Sequence, residues 1–228
     1  MKTVFITRHL AESSIFKKQL EHAGLKVYGK SLIQFSAVPF YEIPKVDWIF
    51  FYSKNGVKYF FEGVEQLDLD IPKNVKWAAI GPETAKALAS EYREPDFIGS
   101  GNREQTAFTF VKIAKDQKIL FPQAESSLQS IQQSFEKEII AIDLIVYRNS
   151  PKEDLNIPSS DFIAFTSPLN AKIYFKIKQP TPNQKLFVIG QTTAKSLADL
   201  GINDFEIAES PSEEGLAKVI IKSLKSHG

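Results

Sequence analysis

The sequence predicts an α/β fold of two parallel-sheet lobes, and three observations carry that prediction. Short apolar runs alternate with segments of helical period, the runs end in small or polar residues, and the whole scheme is written twice. One copy reads Asp47-Trp48-Ile49-Phe50-Phe51-Tyr52-Ser53 and then Trp77-Ala78-Ala79-Ile80-Gly81-Pro82-Glu83-Thr84-Ala85. The other reads Asp161-Phe162-Ile163-Ala164-Phe165-Thr166-Ser167 and then Leu186-Phe187-Val188-Ile189-Gly190-Gln191-Thr192-Thr193-Ala194. Ser53 and Ser167 lie 114 positions apart, and Gly81 and Gly190 lie 109 apart (167 − 53 and 190 − 81), so order and spacing are nearly kept. Two half-molecules of one design are expected to face each other.

Taken in order, the predicted strands are Val4–Thr7, Trp48–Tyr52, Trp77–Ile80, Asp96–Gly99, Lys118–Phe121, Phe162–Thr166, Leu186–Ile189 and Phe205–Ala208. Ala85, Leu88, Ala89 and Tyr92 fall at helical spacing, and Leu216, Val219, Ile220 and Leu224 make a similar stripe, as expected of helices lying on a sheet. Gly24 and Gly201 each stand where a helical segment should close. The repeat also matches Val4–Thr7 followed by Ser13-Ser14-Ile15-Phe16 with Ile119–Pro122 followed by Ser126-Ser127-Leu128-Gln129. Two extended segments, Tyr28 to Phe40 and Ile139 to Asn149, are rich in β-formers but lack a tight turn, and read as crossings between lobes.

The chain's 228 residues suffice for two small domains with their own cores. A formal net charge of +1 supplies no long-range field toward nucleic acid or an acidic membrane, so neither is an expected partner. With no cysteine, a disulfide, a thiolate nucleophile, an iron–sulfur cluster and a cysteine zinc site are excluded. The apolar run Val4–Ile6 is too short for a signal-peptide core and no run approaches a membrane span, so a soluble, cytoplasmic protein is expected. His9, His22 and His227 share no metal-like spacing, and no metal site is expected. Nor is there a Walker loop, GxGxxG, HExxH or GxSxG.

In open α/β sheets ligands bind beyond the carboxyl ends of the strands, where Thr7, Arg8, Ser53, Gly81, Ser100, Ser167, Gly190 and Ser210 all fall. The helix that follows offers unpaired N–H groups and the positive end of its dipole, which suits a carboxylate or phosphate. Gly81 and Gly190 would let backbone approach a ligand, and Thr84, Thr192 and Thr193 would add hydroxyl donors; simple capping is the competing role for Thr84 and Thr193. Capping is also the default for Glu83, Glu213 and Glu214. Tyr147 ends the second crossing segment, where a phenol, whose unperturbed pKa is about 10, would be a neutral proton donor, although a buried, satisfied tyrosine is the commoner reading for any one Tyr.

With these residues in place, the sequence resembles the uroporphyrinogen-III synthase family over nearly its whole length. The resemblance rests on Phe51-Tyr52-Ser53-Lys54-Asn55-Gly56-Val57, Ile80-Gly81-Pro82-Glu83-Thr84-Ala85, Val146-Tyr147, Phe165-Thr166-Ser167-Pro168, Ile189-Gly190-Gln191-Thr192-Thr193-Ala194 and Ser210-Pro211-Ser212-Glu213-Glu214-Gly215. Tyr52 and Asn149 depart from it, each standing where the family usually or often has Thr. The resemblance implies two flavodoxin-like lobes: a discontinuous one of residues 1–33 plus 152–228, and an inserted one of residues 40–140, joined by linker strands at 34–39 and 141–151. It further implies cyclisation of hydroxymethylbilane, a linear tetrapyrrole, with loss of water and inversion of ring D, without cofactor or metal. Carried over, Tyr147 is the candidate acid; Ser53, Thr84, Ser167, Thr192 and Thr193 would grip carboxylates beside the Gly81 and Gly190 amides, with Arg8 as a further carboxylate partner. A monomer is expected. Two other classes share much of the pattern: a two-lobed receptor closing on a small carboxylated ligand without chemistry, and a flavin carrier.

Overall fold

In the structure, a computed structural model, residues 1–127, 130–135 and 138–225 are described. Chain order runs β1 (Thr3–Ile6), α1 (Ile15–His22), β2 (Lys26–Gly29), β3 (Ile33–Ala37), β4 (Trp48–Phe51), α2 (Lys54–Gln66), β5 (Lys76–Ala79), α3 (Pro82–Glu91), β6 (Phe97–Ile98) and α4 (Arg103–Ala114). It continues with β7 (Lys118–Ala124), α5 (Ser130–Gln133), β8 (Ile140–Pro151), β9 (Phe162–Phe165), α6 (Pro168–Ile177), β10 (Lys185–Val188), α7 (Gln191–Ala198), β11 (Glu206–Ile207) and α8 (Glu213–Lys225). Two compact units result, Met1–Gln34 with Ser150–Gly228, and Phe35–Asn149. The chain passes from one unit to the other within β3 and returns within β8.

The first unit holds a sheet of order β11-β10-β9-β1-β2 with parallel pairings throughout. Numbered by their order in the chain, these strands read 2-1-3-4-5 from the β2 edge, the doubly wound order in which ligands bind where the first and third strands adjoin. Here that point is between β1 and β9. The second sheet, β3-β8-β7-β4-β5-β6, contains the same spatial series, with β7 and β8 in the places of β1 and β2. One hydrogen-bonding device recurs at both strand entrances. Asp161 Oδ2 accepts the Thr3 N–H at 2.7 Å and its carbonyl accepts the Lys185 N–H at 3.0 Å. Asp47 Oδ2 accepts the Lys118 N–H at 2.8 Å and its carbonyl accepts the Lys76 N–H at 2.9 Å.

The repeat is therefore tandem in sequence but exchanged in space. β1 and β2 of the first copy complete the sheet of β9–β11, and β7 and β8 of the second complete that of β4–β6. β3 is an addition to the second sheet's edge. The Val38 N–H meets the Val146 carbonyl at 2.9 Å while the Lys152 N–H meets that of Leu32 at 3.0 Å, so β3 and β8 run antiparallel.

Both sheets are covered on two faces, which is why their central strands read as unbroken apolar runs. In β4, Trp48 and Phe50 join Phe110, Phe121 and Phe135 on one face, while Ile49 and Phe51 join Phe60 and Trp77 on the other. In β1, Val4 and Ile6 pack with Phe16 and Leu216, and Phe5 packs with Phe165 and Tyr174. Each such side chain contributes about 1.5–3 kcal/mol on burial. The helix ends expected at Gly24 and Gly201 have left-handed φ of 80° and 79°, and the next residues, Leu25 and Ile202, bond back to Leu20 and Leu197.

The segment expected as one crossing from Tyr28 to Phe40 is divided. Its start belongs to β2, paired in parallel with β1, and the break falls at Ser31, whose hydroxyl accepts the Ile33 N–H at 3.2 Å in a local turn. A run of β-formers fits either role, so composition could not place the break. The second crossing segment is also a sheet member, because β8 pairs in parallel with β7 from Ile140 to Tyr147. Leu128 and Gln129, matched in the repeat, lie outside the described residues, as does His227.

Candidate active site

Tyr147 owes its position to an irregularity of the β7–β8 ladder. The register runs evenly to Gln123 opposite Ile145 and then shifts, so that Ala124 faces Tyr147 and one additional residue, Val146, is accommodated on β8. Side chains of a regular strand alternate, yet Val146 and Tyr147 both pack in the core formed with Ala124, Phe60 and Val57. That is the effect of a bulge, which re-aims a side chain within a strand. The ring, 8% exposed, stacks on Tyr59 with centroids 5.3 Å apart and meets Phe35 edge-on at 6.0 Å. Its oxygen lies 3.5 Å from Ser53 Oγ.

Ser53 follows β4 and caps α2, its Oγ accepting the Gly56 N–H at 3.1 Å. Gly56 is essential to this placement, since a Cβ there would stand 2.8 Å from the Pro122 carbonyl oxygen on β7. The missing side chain thus lets the first turn of α2 settle on the strand that adjoins β4 at the switch point. Ser167 repeats the arrangement after β9, capping α6 by accepting from the Asn170 N–H at 3.3 Å and from Asn170 Nδ2 at 3.0 Å.

The threonines behave differently. The N-caps of α3 and α7 are Gly81 and Gly190, neither helix has a side-chain cap bond, and Thr84 and Thr193 sit in the first turn as buried residues. The capping role considered for them is set aside: the two serines cap and the threonines do not. Thr192 is exposed beside Thr193. The two glycines are not equivalent either. A Cβ on Gly81 would approach Gly101 Cα at 2.9 Å, so this glycine is needed for packing between two loops, whereas one on Gly190 would meet only Pro211 Cβ at 3.7 Å. Gly190 is free of that packing requirement.

Arg8, after β1, already has a carboxylate partner. Its guanidinium lies 3.5 Å from Glu213 Oε1, and Ser14, the cap of α1, donates to Glu213 Oε2 at 2.7 Å. Glu83 pairs with Lys86 at 3.1 Å, which holds its carboxyl below the usual range, and Glu214 pairs with Lys218 at 2.7 Å. Thr7 donates to the Ala164 carbonyl and accepts the Thr166 N–H, so it closes the sheet end. Ser100 and Ser210 likewise serve their own loops, through Asn102 and Ser212. His9 and His22 are exposed, and among the described residues no group of three metal-ligating side chains occurs.

Tyr52, one of the family departures, stacks on Phe121 at 5.4 Å. Burial, aided by the Asp143 charge, pushes its hydroxyl far above the usual phenol range. That hydroxyl and both amide atoms of Gln123 are buried without a hydrogen-bond partner. Sequence reasoning singled out Ser53 and Tyr147 but missed Tyr59, Phe35 and Gly56, which fix them. The Ser-x-x-Gly spacing was visible; the ring contacts and the bulge had no local signal.

Each unit thus holds its own set: Ser53, Gly81, Thr84 and Tyr147 in one, and Arg8, Ser167, Gly190, Thr192 and Thr193 in the other. Comparison with known proteins gives these sets a common context. The chain is 29% identical to the uroporphyrinogen-III synthase of Chlorobaculum parvum, with 99% of this chain and 100% of that protein covered. Among solved structures, it resembles uroporphyrinogen-III synthetase from Helicobacter pylori with a TM-score of 0.71 at 21% identity, over 98% of this chain and 100% of that one. A mutant uroporphyrinogen III synthase from Thermus thermophilus gives a TM-score of 0.63 at 18% identity, with both chains fully covered. These low identities speak to the fold. Residues 14–218 match the family described as Uroporphyrinogen-III synthase HemD. With nine-tenths of its sequence inside that match, the chain belongs to the uroporphyrinogen-III synthase family, hydro-lyases of tetrapyrrole biosynthesis.

Proposed function

We propose that the chain takes hydroxymethylbilane, removes its terminal hydroxyl as water and closes the ring with ring D inverted, Tyr147 acting as the proton donor. The observation that supports this role is the bulge that holds the Tyr147 oxygen 3.5 Å from the cap of α2. A phenol so placed can protonate a leaving hydroxyl, a step in which general acids commonly supply about 10²–10⁴-fold. The resulting azafulvene closes unaided to the symmetrical isomer, so the remaining task is to hold the substituted carbon of ring D against the exocyclic methylene. Acetate and propionate groups would be held by Ser167, Thr84, Thr192, Thr193 and the amides that follow Gly81 and Gly190, with Arg8 contributing where it exchanges Glu213 for a substrate carboxylate. Proton transfer and positioning suffice, and neither metal nor cofactor takes part.

The decisive experiment supplies hydroxymethylbilane to the purified chain and resolves the products by isomer. Predominantly type III uroporphyrinogen is expected. Type I at the uncatalysed rate would refute the reading.

A further inference from the structure

We propose that Ser53 is a positioning residue for the phenol of Tyr147 and not a grip for a substrate carboxylate. The inference rests on the reading of Tyr147 as the acid and assigns a role to its neighbour. The two copies of the repeat supply an internal comparison. At Ser167 both acceptor positions are filled by Asn170, from its backbone N–H at 3.3 Å and its Nδ2 at 3.0 Å, which leaves only the hydroxyl proton free to act. Asn170 itself is committed, because its Oδ1 accepts the Leu32 N–H at 2.8 Å. At Ser53 the corresponding position is Gly56, which supplies a backbone N–H at 3.1 Å and no side chain. Ser53 therefore keeps one acceptor position as well as its proton, and the neighbour at 3.5 Å is the Tyr147 oxygen.

The phenol cannot turn away from this neighbour. Its ring is held between Tyr59 and Phe35, and its backbone carbonyl accepts the Glu125 N–H at 2.9 Å. Only the hydroxyl torsion is free. When Ser53 donates to the Tyr147 oxygen, the phenolic proton points away from Ser53, toward the leaving group. As the C–O bond of the substrate breaks, its electron pair leaves with the hydroxyl, which takes that proton and departs as water. The pyrrole N–H proton is released to solvent as the azafulvene forms, and solvent returns a proton to Tyr147. While the phenolate exists, the Ser53 O–H is its hydrogen-bond donor, the kind of charge-assisted bond that strengthens as charge develops. Ser167, whose oxygen bonds no tyrosine among the described residues, keeps the carboxylate role.

A double-mutant cycle in single-turnover conversion of hydroxymethylbilane tests this. Ser53→Ala should lower kcat about 10-fold with KM within twofold of wild type, and Ser53→Thr should restore it. Ser53→Asp keeps a competent helix cap but replaces the donor by an anion, so it should lose at least as much as Ser53→Ala while remaining folded. In the Tyr147→Phe background, Ser53→Ala should cost nothing further, because the group it positions is gone. An increase in KM with unchanged kcat, or equal losses in both backgrounds, would overturn the proposal and return Ser53 to carboxylate binding. If Ser53→Ala fails to fold, the Thr and Asp variants decide: equal kcat in these two overturns it. Failure of wild type to form the type III isomer would instead refute the underlying reading.

Discussion

Removing one atom, the Tyr147 oxygen, should separate chemistry from folding. The ring of Tyr147 is 8% exposed and its packing against Tyr59, Phe35, Val57 and Phe60 survives in Tyr147→Phe. Among the described residues the oxygen's hydrogen-bond neighbour is Ser53, at a distance that marks the outer limit of a hydrogen bond, and Ser53 retains its bond to Gly56. Loss of such a contact costs no more than about 1 kcal/mol, so the urea midpoint should barely move. Turnover should fall by about 100- to 10,000-fold, equivalent to about 2.7–5.4 kcal/mol of transition-state stabilisation. Rapid-quench single turnovers with isomer-resolved products are the assay. Slower conversion with type III still dominant assigns the phenol to departure of the hydroxyl, whereas a rising type I fraction assigns it to retention of the intermediate. A folded variant with wild-type single-turnover rate and isomer ratio would remove Tyr147 from the reaction.

Gly81→Ala should destabilise the chain and Gly190→Ala should not, because only the former drives a Cβ into backbone, at Gly101; thermal melts of both variants, with equal losses as the refuting result, check this. If Gly190→Ala keeps its stability but raises KM, close approach of a ligand is the remaining explanation. Asp161 is held below the usual carboxylate range chiefly by the Thr3 N–H, with the Thr3 hydroxyl adding to it. A depressed pKa contributes stability that is present above about 3.9 and lost as pH falls through the folded value, so the stability gap between wild type and Asp161→Asn should shrink as pH is lowered from about 5 toward 2. A gap independent of pH would refute it. Gln123→Met removes two buried, unpartnered amide atoms and should leave thermal stability equal or raised, whereas a clear loss would show that the amide is satisfied in solution.

The sheets were legible because strands buried on both faces must be apolar throughout, and runs such as Trp48–Phe51 and Phe162–Phe165 admit no other element of that length. Both serines were legible as strand-end residues because the repeat placed each at the same step. What escaped depends on partners distant in sequence. β2 needed β1 to distinguish it from a crossing, and Tyr147's orientation needed the register shift against Ala124. The roles of Gly81 and Gly190 diverge only because Gly101 lies against one of them. Local pattern records which face a residue prefers, not which loop will lie across it.

The exchange of β1 and β2 for β7 and β8 between the two copies has a consequence for synthesis. Thr3 finds its Asp161 partner 158 residues later, so the leading strands wait through most of translation before their sheet can close. The inserted unit, contiguous from Phe35 to Asn149, has all of its strands in hand before β9 has been made. A domain whose chain is continuous can fold as it emerges, while the one built from both ends must keep Val4, Phe5 and Ile6 from associating elsewhere until the last third arrives. A break between α4 and β7, at the boundary of the sequence repeat, would leave two fragments of which neither owns a finished sheet. Each would carry the strands that the other lacks.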